Sequence, residues 1–263
     1  MVPRLFERLT EVGARLGAAP AWLVLLDFDG TLAPIAPTPD SVFLSPALRQ
    51  LLRNLAHQPR VALGFISGRA RADLQERIGL ADVYYAGNHG LEICGPHRSF
   101  TEPTAVSQQD LLTALAADLT DRLQPIVGAW AENKGLTLSV HFRLVEADGV
   151  EEVRRCVHGD LAAANHPFVL TMGDKVFYIR PRTYWNKGSA VTWIREHADL
   201  PDAVVVYVGD DATDEDAFLA LADAITIKVG PSAETAARYQ VDGPPDVHKF
   251  LEWLSHLTRK RSF

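Results

Sequence analysis

The chain has 263 residues, 47% of them hydrophobic and 22% charged, which excludes a disordered polymer and leaves one large domain or two small ones. Its 26 Lys plus Arg against 33 Asp plus Glu give a formal charge of −7, the wrong sign for a protein that lives on a nucleic-acid backbone, so positive groups holding an anionic ligand must be local. Two cysteines, Cys94 and Cys156, exclude a disulfide framework and fit a reducing cytoplasm, and the apolar runs at 21–26 and 203–208 fall far short of the about 20 residues that span a bilayer.

Arg4, Glu7, Arg8 and Glu11 interleave with Leu5, Leu9, Val12 and Leu16, which predicts an amphipathic helix with no signal-peptide core. The run 22–28 predicts a buried strand. Over 45–57, Leu48, Leu51, Leu52 and Leu55 share a helical face, behind Ser45 as N-cap and Pro46 in the first turn. A strand at 61–66, a helix at 71–78 and a strand at 83–86 follow. This alternation predicts a parallel sheet with right-handed crossovers.

The rhythm then changes. Residues 91–93 and the segment near Phe100 suit a hairpin around Gly95-Pro96, and 108–123 a helix. Strands at 126–131 and 136–142 are joined around Asn133-Lys134-Gly135; Leu138, Val140 and Phe142 alternate with Ser139 and His141, one face buried and one open. A helix at 151–161 precedes strands at 168–171 and 176–179. The α/β rhythm returns with a helix at 187–197, a strand at 203–208, a helix at 214–222, a strand at 224–229 and helices at 232–239 and 247–257. The fold is read as α/β: a Rossmann-like parallel-sheet core from 1–101 and 181–263, with an α+β cap domain, 102–180, inserted.

Four segments put polar groups at strand ends, where ligands of open parallel sheets bind. In Asp27-Phe28-Asp29-Gly30-Thr31-Leu32, two carboxylates two residues apart precede a Gly turn; one can attack as nucleophile while the other moves protons, against the plainer reading of an Asx-turn. Ile66-Ser67-Gly68-Arg69 offers a hydroxyl and a backbone N–H at a helix start, a phosphate-binding arrangement that is also a common turn. In Asn186-Lys187-Gly188 a lysine enters a helix, where it serves as a point charge for a phosphoryl group or as a surface residue. In Gly209-Asp210-Asp211-Ala212-Thr213-Asp214-Glu215-Asp216, five acids in seven residues follow a valine-rich strand. Their mutual repulsion makes sense beside Mg²⁺, although a solvated helix start would also collect acids.

The order and spacing of Asp27/Asp29/Thr31, Ser67, Lys187 and Asp210/Asp211 resemble the haloacid dehalogenase (HAD) phosphatases. Gly87-Asn88-His89-Gly90, Glu132-Asn133-Lys134-Gly135, Arg180-Pro181 with Trp185-Asn186-Lys187-Gly188, and the run 209–218 narrow the likeness to the trehalose-6-phosphate phosphatases. The resemblance implies an Mg²⁺-dependent hydrolase of trehalose biosynthesis, cytoplasmic, acting on a small sugar phosphate with no nucleic-acid or membrane partner. Asp27 would form an aspartyl-phosphate and Asp29 serve as acid and base. Ser67 and Lys187 would hold phosphoryl oxygens, and Thr31, Gly68, Arg69, Asn88 and His89 would lie around the substrate. Mg²⁺ would be held by Asp27, the Asp29 carbonyl and Asp210, with Asp211 and Asp214 supporting. Cap candidates for the sugar are Lys134, His141, Arg143, Lys175 and Tyr178; by strand parity His141 and Arg143 share a face. The chain departs from that family at Tyr178, where a Glu is usual, which keeps another phosphorylated disaccharide open as substrate. A catalytically inactive sugar-phosphate sensor is the other alternative, and intact Asp27 and Asp29 argue against it.

Overall fold

The computed structural model describes residues 2–36, 38–161, 166–232 and 234–260. In chain order the elements are α1 (Leu9–Ala18), β1 (Trp22–Leu26), α2 (Pro46–Ala56), β2 (Val61–Ile66), α3 (Arg71–Ile78), β3 (Tyr84–Gly87), β4 (Glu92–Cys94), β5 (Ser99–Thr101), α4 (Pro103–Ser107), α5 (Gln109–Leu123), β6 (Trp130–Asn133), β7 (Leu138–His141), α6 (Val150–Leu161), β8 (Phe168–Gly173), β9 (Val176–Pro181), α7 (Lys187–His197), β10 (Val204–Gly209), α8 (Asp214–Ala220), β11 (Ile225–Val229), β12 (Tyr239–Val241) and α9 (Pro244–Lys260). They fall into two units: the chain up to Phe100 together with the chain from Trp185 on, and Thr101–Tyr184 between them.

The first unit is built on a sheet of order β12-β11-β10-β1-β2-β3-β4-β5. Neighbours from β12 to β3 are parallel, and β4 turns back antiparallel on β3. All five residues of β1 are buried, because both of its faces are covered. Trp22, Val24 and Leu26 pack with Leu48, Leu52 and Leu55 of α2 and with Phe250 and Leu254 of α9. Leu23 and Leu25 face Ala190, Val191 and Ile194 of α7 and Phe218 of α8. This two-sided burial is why the strands read as unbroken apolar runs. Ser45 caps α2 by accepting from Leu48 N at 3.2 Å, with Pro46 in the first turn.

The second unit has an antiparallel sheet of order β6-β7-β9-β8. Leu138, Val140, Phe177 and Ile179 pack on Leu112 and Leu119 of α5 and Val153 and Val157 of α6. By alternation Trp130, Glu132, Ser139, His141 and Tyr178 share the opposite face.

Two expectations are corrected. The helix expected at 232–239 does not form among its described residues; Ala233 lies outside them. Instead Tyr239–Val241 pairs in parallel with β11 as an edge strand, and Arg238 N donates to Thr226 O at 3.1 Å. The open edge of β11 offered more hydrogen bonding than a short segment with few apolar anchors could gain as a helix. The strand expected at 126–131 lies at Trp130–Asn133, because Ile126 N and Ala129 N are taken up in turns. Among the described residues, no helix is long and apolar enough to cross a membrane.

Candidate active site

The carboxyl ends of β1, β2, β3 and β10 and the start of α7 bring the motif residues of the first unit together. Asp27 follows β1 directly, its N–H donating to Val208 O at 2.9 Å, so the sheet carries its side chain to the end of β10. Asn186 caps α7 through a reciprocal bond pair with Ser189, which aims the next residue, Lys187, inward. The Lys187 ammonium donates at 2.7 Å to Asp27 Oδ1 and at 2.7 Å to Asp214 Oδ1. All three are buried: Asp27 is 4% exposed, Lys187 2% and Asp214 0%. Asp214 also accepts from Tyr207 Oη at 2.5 Å and from Asp211 N at 2.9 Å, so its oxygens are well occupied.

Asp210 completes the cluster. One oxygen of each of Asp27, Asp210 and Asp214 lies within 4.8 Å of the others. Thr31 Oγ1 donates to Asp210 Oδ1 at 3.0 Å. Gly30 has φ +82°, and a Cβ there would stand 2.1 Å from Asp210 Oδ2, so only glycine lets the two loops meet. Burial pushes the Asp27 carboxyl well above its usual range, with Lys187 pulling it back. Burial, then the charge of Asp214, pushes Asp210 up to about 6. Lys187 keeps its proton: burial works against the ammonium, but Asp214 and Asp27 outweigh it. Three crowded carboxylates, two of them bonded by one ammonium, form a donor set suited to a hard cation.

Asp29 points elsewhere. Its two oxygens accept from Arg69, from Nε at 2.6 Å and from a terminal nitrogen at 2.7 Å. Arg69 is buried, also bonds Asp73 at 2.8 Å and Pro39 O at 2.9 Å, and lies over the Phe28 ring. Ser67 Oγ accepts from Arg69 N at 3.2 Å. A Cβ on Gly68 would stand 2.7 Å from the His89 ring, so glycine lets His89 close over the Ser67–Arg69 turn. Asn88 is buried and its side-chain amide donates to Glu92 at 2.7 Å; the same carboxylate accepts from Arg71 N at 2.9 Å. Asp211 accepts from Thr213 N at 3.2 Å.

In the second unit, four polar residues gather on the open sheet face. His141 Nε2 lies 2.7 Å from Glu132 Oε2, and Lys134 Nζ is 3.6 Å from the same oxygen. The Lys134 ammonium stands 5.9 Å above the Tyr178 ring, and Trp130 stacks on His141 at 4.6 Å. Arg143 lies beyond the end of the strand. β7 ends at His141, so parity no longer governs Arg143, which donates to Asp174 Oδ2 at 2.8 Å. Lys175, at the same β8–β9 turn, is exposed with φ 60°.

A profile of the trehalose-phosphatase family matches residues 25–245, and so takes in every strand-end motif described above. The chain belongs to the trehalose-phosphatase family. It is 36% identical over 256 residues to a probable trehalose-phosphate phosphatase E of Arabidopsis thaliana, covering 91% of this chain and 71% of that one. It is 34% identical over 248 residues to a trehalose-phosphate phosphatase of Mycobacterium tuberculosis, covering 90% of this chain; the chain spans 62% of that relative's length. A crystal structure of a trehalose-6-phosphate phosphatase related protein superposes with TM-score 0.80 and 26% identity, covering 91% of this chain and 100% of that one.

Within this trehalose-phosphatase framework, three residues stand out that the sequence reading passed over. Glu132 holds both His141 and Lys134. Its signal was present in Glu132-Asn133-Lys134, a polar run next to a strand. Tyr207 is buried and bonds Asp214, and Lys228 is buried and donates to the carbonyl of Asp210. Both sit inside apolar strands, where a polar side chain is costly unless it is bonded.

Proposed function

We propose that this protein is an Mg²⁺-dependent phosphomonoesterase that converts trehalose 6-phosphate to trehalose and phosphate, acting in the cytoplasm. The observation that carries the reading is the buried Lys187 ammonium bridging Asp27 and Asp214 beside Asp210, within a chain of the trehalose-phosphatase family. Asp27 is the nucleophile. Its oxygen attacks phosphorus, the bond to the sugar oxygen breaks, and an aspartyl-phosphate forms that water then hydrolyses. Asp29 is the proton donor to the leaving oxygen and the base for that water, which requires it to leave its two-pronged bond to Arg69. Lys187 and Ser67 hold the phosphoryl oxygens as charge spreads over them. Asp27 and Asp210, with the Asp29 carbonyl, would hold Mg²⁺, because the oxygens of Asp214 already serve Lys187, Tyr207 and Asp211. When bound, the ion supplies neutralising charge for a dianionic substrate meeting an anionic nucleophile.

Phosphate release from trehalose 6-phosphate, run beside glucose 6-phosphate and sucrose 6-phosphate with Mg²⁺ and with chelator, tests the reading. Turnover only of trehalose 6-phosphate, only with Mg²⁺, is the expected result; full turnover in excess chelator overturns the metal assignment. Tyr178, which offers a ring and a hydroxyl in place of a carboxylate, favours a second reading in which another phosphorylated disaccharide is preferred. The same panel separates the two.

Metal binding also has a pH signature. Asp210 titrates near 6 when folded against about 3.9 when unfolded. A raised carboxyl favours the folded state at low pH, and that contribution is lost as pH rises through 6. The cation-free protein is therefore penalised above pH 6, where Mg²⁺ removes the penalty. The rise in Tm on adding Mg²⁺ should be larger at pH 7.5 than at pH 5, as read by differential scanning fluorimetry. An equal rise at both pH values contradicts it.

The unit 102–180 is proposed to act as the cap that reads the sugar, through Lys134, His141 and Tyr178. Contacts remote from phosphorus lower the barrier only for substrates able to make them. Lys134→Ala should cut kcat/KM for the disaccharide phosphate by roughly 30- to 150-fold, the cost of a charged hydrogen bond, while sparing a small aryl phosphate. Tyr178→Phe should act the same way more weakly, and Tyr178→Glu should keep or improve turnover of trehalose 6-phosphate. Arg143→Ala, which loses bonds to Asp174 at the β8–β9 turn, should change the ratio least. A parallel fall for both substrates in Lys134→Ala would show that the residue supports folding instead.

A further inference from the structure

Lys228 is a buried cation that none of the proposed chemistry uses. It lies in β11, every residue of which is buried, and is itself 7% exposed. Ile225, Ile227 and Val229 enter the apolar core, so Thr226 and Lys228 alternate onto the other side of the sheet. Lys228 stands in register with Gly209, the last residue of β10. Its ammonium reaches past that strand end and donates to the main-chain carbonyl of Asp210, and it lies 3.4 Å from Val229 O. Both acceptors are carbonyls, and among the described residues Lys228 forms no ion pair with a carboxylate. A strand needs no lysine for stability here, since an apolar side chain would avoid the desolvation of an ammonium.

The acceptor is what singles it out. The ladder of β10 ends at Gly209, so the peptide of Asp210 leaves the sheet with no ladder bond to orient it. Yet the Asp210 carboxylate must stand within 4.8 Å of Asp27 and accept from Thr31. We infer that Lys228 is a positioning residue for the candidate cation site, holding the Asp210 carbonyl so that the carboxylate faces Asp27. The inference rests on the proposed reading of Asp27 and Asp210 as cation ligands.

Position and charge predict opposite signs. If Lys228 acted only as a nearby positive charge, removing it would tighten the binding of a divalent cation. If it positions Asp210, removing it loosens binding even though a repulsive charge has gone. The test is isothermal titration of Mg²⁺ into the full chain after chelator treatment, with folding checked by circular dichroism. Wild type should bind Mg²⁺ saturably. Lys228→Met should raise the Kd at least about tenfold, the lower end of what one charged hydrogen bond contributes. Lys228→Arg, which keeps donors and charge, should stay within about threefold of wild type, the difference a donor geometry shift makes. An unchanged or tighter Kd in Lys228→Met overturns the inference. If that variant does not fold, Lys228→Gln decides: it removes the charge and shortens the reach to the Asp210 carbonyl, so a weaker Kd supports positioning and an unchanged or tighter Kd overturns it. Absence of saturable Mg²⁺ binding in wild type instead sinks the cation reading on which the inference rests.

Discussion

Asp27→Asn should lose at least about 10⁴-fold in kcat, the scale at which removing a covalent nucleophile leaves only binding and orientation. The amide keeps the shape of the carboxylate but has no anionic oxygen to attack phosphorus. Folding should survive. The amide avoids burying a charge, and Lys187 retains its bond to Asp214 Oδ1 at 2.7 Å. The measurements are steady-state phosphate release and a thermal melt on the purified variant. A folded Asp27→Asn protein that still turns over substrate at a substantial rate would remove Asp27 from the nucleophile's role.

Lys187→Met should damage both stability and activity. It takes the partner from two buried carboxylates, and breaking such a pair costs about 3–5 kcal/mol. For a chain of this size that lowers Tm by roughly 10 °C. The sign with pH follows from Asp27, whose carboxyl burial already raises and Lys187 lowers. Without Lys187 it rises further above its unfolded value. Its contribution to stability is then present at low pH and is lost as pH rises through the raised folded pKa, so the variant should melt closer to wild type at pH 5 than at pH 8. A second substitution supplies an internal control. Lys187→Met with Asp214→Asn leaves one fewer unpaired carboxylate and should recover part of the lost stability, a non-additivity expected of groups in direct contact. Strict additivity of the two changes would mean that the bridge contributes little.

The acid–base candidate is held by its own ion-pair network. Arg69 keeps its charge although burial opposes it, because Asp29 and Asp73 both bond it. Partial burial would raise the carboxyl of half-buried Asp73, yet Arg77 and Arg69 hold it below the usual range. The guanidinium of Arg69 therefore ties Asp29 to α3 and to the Pro39 carbonyl.

Whatever local chemistry writes into neighbouring residues was legible in one dimension. Runs such as 22–26 and 204–208 are apolar throughout because both faces of their sheet are covered, and that pattern survives in one dimension. The Ser45-Pro46 helix start and the order of the four strand-end motifs are likewise local or sequential features. Partner choice is not. That Arg69 would claim both oxygens of Asp29, 40 positions away, or that Lys187 would bridge Asp27 and Asp214, depends on which loops the sheet order β10-β1-β2 brings side by side. Tyr207 and Lys228 were hidden for the same reason: inside apolar strands they look like incidental polar residues until a carboxylate and a carbonyl are seen within reach. Arg143 lies past the end of β7 and bonds Asp174, a partner 31 positions away, and 239–241 became a strand because β11 had an edge to fill. A hydrogen bond or ion pair is a matter of a few ångströms between groups far apart in the chain, and only the tertiary structure fixes those distances.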